Sequence, residues 1–151
     1  MLGWLKRTQI IQKVLVSYWL LVPVLFYGVL GLYSLQEATT IQQVVQSNPL
    51  VTVGNLVACI MLLQAGLFYL ISKNSASKRG LLGHFLLIAL VQQVLTLNIL
   101  GVVLTFLYYR TLPNLKEQTN NQLKILFYML GGFITILSVV VTLVLVNFHS
   151  A

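Results

Sequence analysis

The sequence predicts an all-α integral membrane protein, with four membrane-scale helices in one bundle. Three observations carry this expectation. The chain has 151 residues, of which 58% are hydrophobic and 7% charged, a balance that belongs to transmembrane segments rather than to a soluble core. Its apolar residues gather into four runs, at about 14–34, 50–71, 81–109 and 125–147, with polar loops between them. All nine Lys and Arg lie outside those runs. Residues 1–151 therefore read as a single transmembrane helical domain.

The first thirteen residues carry Lys6, Arg7 and Lys13 among Leu2, Trp4, Leu5, Ile10 and Ile11. This mixture suits a short interfacial helix, with Trp4 at the headgroup level. The apolar run that follows, Val14 to Tyr33, is longer than the core of a signal peptide and lacks a clean small-x-small cleavage site. It reads as an uncleaved first transmembrane helix, kinked at Pro23 where one backbone donor is missing. Residues 34–49 form a loop without Lys or Arg. Leu35, Ala38, Ile41 and Val45 recur there at helical spacing, and Asn48-Pro49 ends the segment. In the second run, Gly54 and Ala58 form a small-xxx-small pair that lets a partner helix approach closely, and Gly66 lies on the neighbouring face. A short basic turn with Lys73, Lys78 and Arg79 follows. Residues 110–124 make a second polar loop, and the last run carries Gly131-Gly132.

The third run, Leu81 to Tyr109, is the unusual one. It holds 29 residues without a charged side chain, counting His84 as neutral. One straight helix of that length would measure roughly 43 Å, against about 30 Å of hydrocarbon. It must protrude, kink or turn back. Gln92, Gln93, Thr96 and Asn98 cluster at its middle. At about 100° per residue, Gln92, Gln93 and Asn98 point in three directions, so no single neighbouring helix satisfies all three. Unpaired polar groups in hydrocarbon cost several kcal/mol each.

Basic residues favour the cytoplasmic side. Lys6, Arg7, Lys13, Lys73, Lys78 and Arg79 act as a cytoplasmic basic anchor and place the amino terminus inside a cell membrane that the chain crosses several times. For residues 110–124, charge and length disagree. A re-entrant hairpin would gather all nine cations inside. A crossing leaves Arg110, Lys116 and Lys124 outside, but each half of 81–109 is too short to cross by itself, since a span needs about 17 residues or more. Four crossing helices are the simpler expectation, with residues 110–124 outside the cytoplasm.

Little reactive chemistry is available. The only carboxylates are Glu37 and Glu117, both in polar loops and both read as solvated or lipid-facing charges. No catalytic pair, nucleophilic triad or phosphate-binding loop is present in the sequence. His84, His149 and Cys59 are scattered on separate elements and make no metal set; Cys59 reads as a small hydrophobe. No cofactor, metal or nucleic acid is expected. No acidic residue lies within a span, as proton-coupled transport usually requires; the first-helix acid of small multidrug exporters is absent.

What remains is the intramembrane polar cluster of Gln64, Gln92, Gln93 and Asn98, together with the helix-packing positions Gly54, Ala58, Gly66, Gly131 and Gly132. These small and polar faces exceed what one small bundle can bury. The expectation is a non-enzymatic accessory or assembly subunit of a bacterial type, held in the lipid bilayer and bound to another membrane protein or to its own copies. Two alternatives stand beside it: a small channel or uncoupled carrier formed by an oligomer, and an immunity-type protein that shields a membrane target.

Overall fold

A computed structural model of the chain describes residues 2–118 and 121–150, with the side chains of residues 2–6 and 148–150 outside the description. The side chains of Trp4, of His149 and of Lys6, one of the expected basic anchors, lie outside the described residues. Six helices follow in order: α1 (Leu2–Gln36), α2 (Ile41–Ser47), α3 (Pro49–Ser72), α4 (Leu81–Leu95), α5 (Ile99–Thr111) and α6 (Asn121–Ser150). No strand occurs among the described residues.

Three helices are long and apolar enough to cross a membrane, over Arg7–Gln36, Pro49–Ser72 and Asn121–Asn147. Many of their apolar side chains face outward, among them Val24, Val29 and Leu32 on α1 and Ile136 and Leu143 on α6. That is the surface of a multi-pass membrane protein. Local signals set the boundaries. Thr40 and Gln43 form a reciprocal capping box at the start of α2. Asn48 closes α2 and caps α3, its Oδ1 accepting from Leu50 N at 3.0 Å, with Pro49 in the first helical position. α1 is continuous through Pro23 and begins well before residue 14.

The expectation of four membrane-scale helices needs correction. The third apolar run is two helices, of 15 and 13 residues, each short of a span. Between them the chain reverses within Thr96-Leu97-Asn98. Asn98 N donates to Gln93 O at 2.8 Å and Leu97 N to Val94 O at 3.1 Å, the paired bonds of a Schellman motif. Leu97 takes the left-handed position, with φ of 55°, where glycine is usual. Asn98 then caps α5, its Oδ1 accepting from Gly101 N at 3.1 Å.

α4 and α5 pack against each other and return to the end they left. Lys78 N donates to Pro113 O at 2.9 Å, which ties the loop before α4 to the loop after α5. Residues 110–118 therefore lie beside residues 73–80 and not at the opposite end of the bundle. The physical reason is that turning back satisfies the polar middle from several helices, whereas a single crossing would leave much of it facing lipid.

α1 runs antiparallel to α3: Tyr27 bonds Asn55 at 2.9 Å, while Trp19 meets Phe68 with ring centres 5.6 Å apart. α6 runs parallel to α4, with Gly131 beside Ile88 and the Thr135–Ser138 turn facing Val91–Leu95. The beginnings of α1 and α6 thus share the end that holds residues 73–80 and 110–118, called here the basic end. At that end α1, α3, α6, α4 and α5 close a ring. Beyond the hairpin tip α1, α3 and α6 continue, and the short α2 packs against α1 and α3 there. α3, with 24 residues, outreaches the 15-residue α4 by about 14 Å at 1.5 Å per residue. Among the described residues α1 and α6 do not pack against each other, so at this far end the three long helices stand in a row, with an open front between α1 and α6.

Candidate functional site

The hairpin tip brings the predicted polar residues together. Gln64 on α3, and Gln92 and Gln93 on α4, are 0%, 2% and 0% exposed. Their partners lie on different helices. Gln64 Nε2 donates to Gln92 Oε1 at 2.7 Å. Thr105 Oγ1 on α5 donates to Gln93 Oε1 at 3.1 Å. The Tyr18 hydroxyl on α1 donates to Asn98 Oδ1. Thr96 Oγ1 folds back onto the Gln92 carbonyl at 3.1 Å. Two amide ends, Gln64 Oε1 and Gln93 Nε2, have no hydrogen-bond partner. A groove of about 250 Å³ between α4 and α6 reaches Gln92, with Leu95, Thr135 and Ser138 along it.

Apart from the Tyr18 hydroxyl, this network holds only neutral amides and threonines. It can fix helix positions or present a few amide hydrogen bonds, but it has no group that shuttles protons near neutral pH. Below it sits an aromatic core. Trp19, fully buried, stands edge-on to Phe68 and to Phe85, and Phe68 also meets Tyr108.

A second cluster lies at the basic end. Glu117 is not a free loop charge. Its Oε2 accepts from Ser75 Oγ at 2.6 Å and its Oε1 from Ala76 N at 2.9 Å. Ser75 Oγ in turn accepts from Leu82 N at 3.1 Å, and the Ser77 carbonyl accepts from Gly83 N at 3.2 Å. Together with the Lys78–Pro113 bond, these contacts form a clasp across the base of the hairpin. Two glycines make room for it. A Cβ on Gly80 would collide with the Glu117 carboxylate and Ser75 Oγ, and one on Gly83 would sit 2.5 Å from the Lys78 carbonyl carbon.

The expected packing glycines divide into two groups. Gly54 faces the Phe26 ring, where a Cβ would come within 2.7 Å, so it serves the α1–α3 contact; Ala58, one turn later, is buried. Gly131 packs against Ile88 and Phe127. Gly66 and Gly132, in contrast, would meet nothing within 4 Å, and neither would Gly28 or Gly31; none of these four lies in close contact with another helix of this chain. Cys59 lies 3.6 Å from the Tyr27 hydroxyl. His84 Nδ1 lies 2.8 Å from the Gly80 carbonyl, one turn earlier on its own helix.

Sequence reasoning missed Tyr18 and Thr105 as network members, and Ser75, Ser77, Gly80, Gly83 and Pro113 as parts of the clasp. The signal for the clasp was the density of Ser and Gly in 72–83. Their partner, Glu117, is more than forty residues away. Among the described residues, no three of His, Cys, Asp or Glu gather to hold a metal ion. No family model, curated protein or solved structure matches this chain.

Proposed function

We propose that this chain is a non-enzymatic accessory or assembly subunit that binds another membrane protein, with its basic end in the cytoplasm. The observation that carries the reading is the surface left uncovered on the spanning helices. Gly28, Gly66 and Gly132 present open backbone on α1, α3 and α6, and small residues at such positions are what let a second membrane helix approach closely. The open front beyond the hairpin tip, floored by Leu97, Ile99 and Leu100, adds an apolar shelf within the membrane. Basic residues favour the cytoplasmic side, and the hairpin brings all eight described cations toward one end, which supports the orientation.

A test is purification from membranes in several mild detergents and in nanodiscs, with photocrosslinkers placed at Leu97 and at Gly66. Crosslinks to one larger membrane protein at both positions are expected. A monodisperse monomer free of companions in every medium, with crosslinks only to lipid, would overturn the reading.

A second reading, a pore formed by an oligomer around the hairpin, is favoured by the non-helical Thr96-Leu97-Asn98 backbone at membrane depth, which is tolerated only against protein or water. Ion or solute flux through reconstituted vesicles, abolished by Gln92→Leu, would raise it above the first.

A further inference from the structure

The clasp does more than close the hairpin: it fixes where several cations stand. Lys78 is held by its backbone bond to Pro113, and its Nζ lies 5.6 Å from the centre of the Tyr109 ring. Arg110, next in sequence, lies over Phe106 at 6.0 Å. Arg79 is exposed beside Lys78. Lys73 sits 4.3 Å from the Tyr69 ring centre on the neighbouring helix end. Aromatic rings at a helix end mark the headgroup level, so these cations are positioned where lipid phosphates lie.

The charge around them is one-sided. The eight cations whose side chains are described all stand toward the basic end, and among the described residues the one carboxylate there is Glu117. Each of that carboxylate's oxygens already accepts a hydrogen bond, from Ser75 Oγ and Ala76 N. Glu37, the other carboxylate, lies at the opposite end, between α1 and α2. The cations therefore outnumber their possible internal partners, and a guanidinium and an ammonium side by side suit a phosphodiester anion.

We propose that Lys78, Arg79 and Arg110 form a seat for the headgroup of an anionic phospholipid, built by the clasp at the base of the hairpin. This goes beyond partner binding and does not depend on it. Each cation near an anionic surface contributes enough to change retention about fivefold.

The test is reconstitution of the full chain in nanodiscs of equimolar phosphatidylcholine and phosphatidylglycerol, then extraction in mild detergent and native mass spectrometry of the lipids that stay bound. Phosphatidylglycerol should be retained in preference to phosphatidylcholine. Lys78→Gln, Arg79→Gln and Arg110→Gln should each weaken retention about fivefold, and the triple variant about a hundredfold. In a Trp4→Phe background, Trp19 fluorescence reports whether each variant keeps its core. Should the triple variant fail to fold, Arg110→Gln against Arg110→Lys decides, since only the second keeps the charge and most of the retention. Equal retention of the two lipids would overturn the proposal. So would a folded triple variant with undiminished preference, or stripping of the lipid by inorganic phosphate alone at low concentration, which would point to a free anion as the ligand.

Discussion

Replacing Gln92 by Leu should destabilise the protein, and replacing Gln64 as well should recover part of the loss. Gln64 and Gln92 are essentially sealed from the surface and share one bond of 2.7 Å. With Gln92→Leu alone, Gln64 keeps no partner at either end of its amide, because its Oε1 has none already. An orphaned buried polar group costs about 1–3 kcal/mol. The reverse single change, Gln64→Leu, leaves Gln92 its weaker contact to Thr96 at 3.4 Å and should cost less. In the double variant no orphan remains. The coupling between the two sites should fall within about 0.6–1.7 kcal/mol, the range from average to largest found for hydrogen bonds between membrane helices. Trp19 makes the assay direct. It is buried between Phe68 and Phe85, and Trp4→Phe leaves it as the single tryptophan. Titration with a denaturing detergent in mixed micelles, followed by Trp19 fluorescence, gives the four stabilities of the cycle. Strict additivity, or a Gln92→Leu protein more stable than the parent, would refute the reasoning.

Two further outcomes are expected. In a Cys59→Ala background, Gln118→Cys should label like Ala76→Cys and unlike Gln46→Cys with an impermeant thiol reagent applied to intact cells; labelling of position 118 like position 46 would mean that the hairpin is not re-entrant. Gly83→Ala should destabilise by several kcal/mol or block folding, because its Cβ meets the Lys78 backbone, whereas Gly66→Ala, with open space around it, should stay within about 0.5 kcal/mol as a surface change does; detergent unfolding of the two side by side checks this, and equal effects would contradict the tight approach at Gly83.

The three spanning helices were legible because hydropathy and length determine them almost alone: Pro49–Ser72 lies within a residue or two of its apolar run. The hairpin was only half legible. Hydropathy is blind to a break at Thr96–Asn98, since every residue from Leu81 to Tyr109 is uncharged, and the turn uses Leu97 where glycine would have announced it. The divergent directions of Gln92, Gln93 and Asn98 did carry information. Their side chains reach α3, α5 and α1 in turn, an arrangement that needs protein on three sides. Charge pointed to the hairpin and length to a crossing, and length misled because the two halves need not cross at all. The clasp was illegible for another reason. Ser75 and Glu117 are ordinary loop residues until the fold brings them together.

The polar tip also has a bearing on the order in which the chain is completed. Every partner of its amides is made early: Tyr18 and Gln64 precede the hairpin, and Thr105 follows Gln93 by only twelve residues. The network can close as soon as α5 exists. α6 comes afterwards and meets the hairpin mainly through apolar contacts such as Gly131 with Ile88. A nascent chain that stops short of α6 already holds a hairpin whose amides have found those partners, and the last helix arrives at a preformed apolar wall.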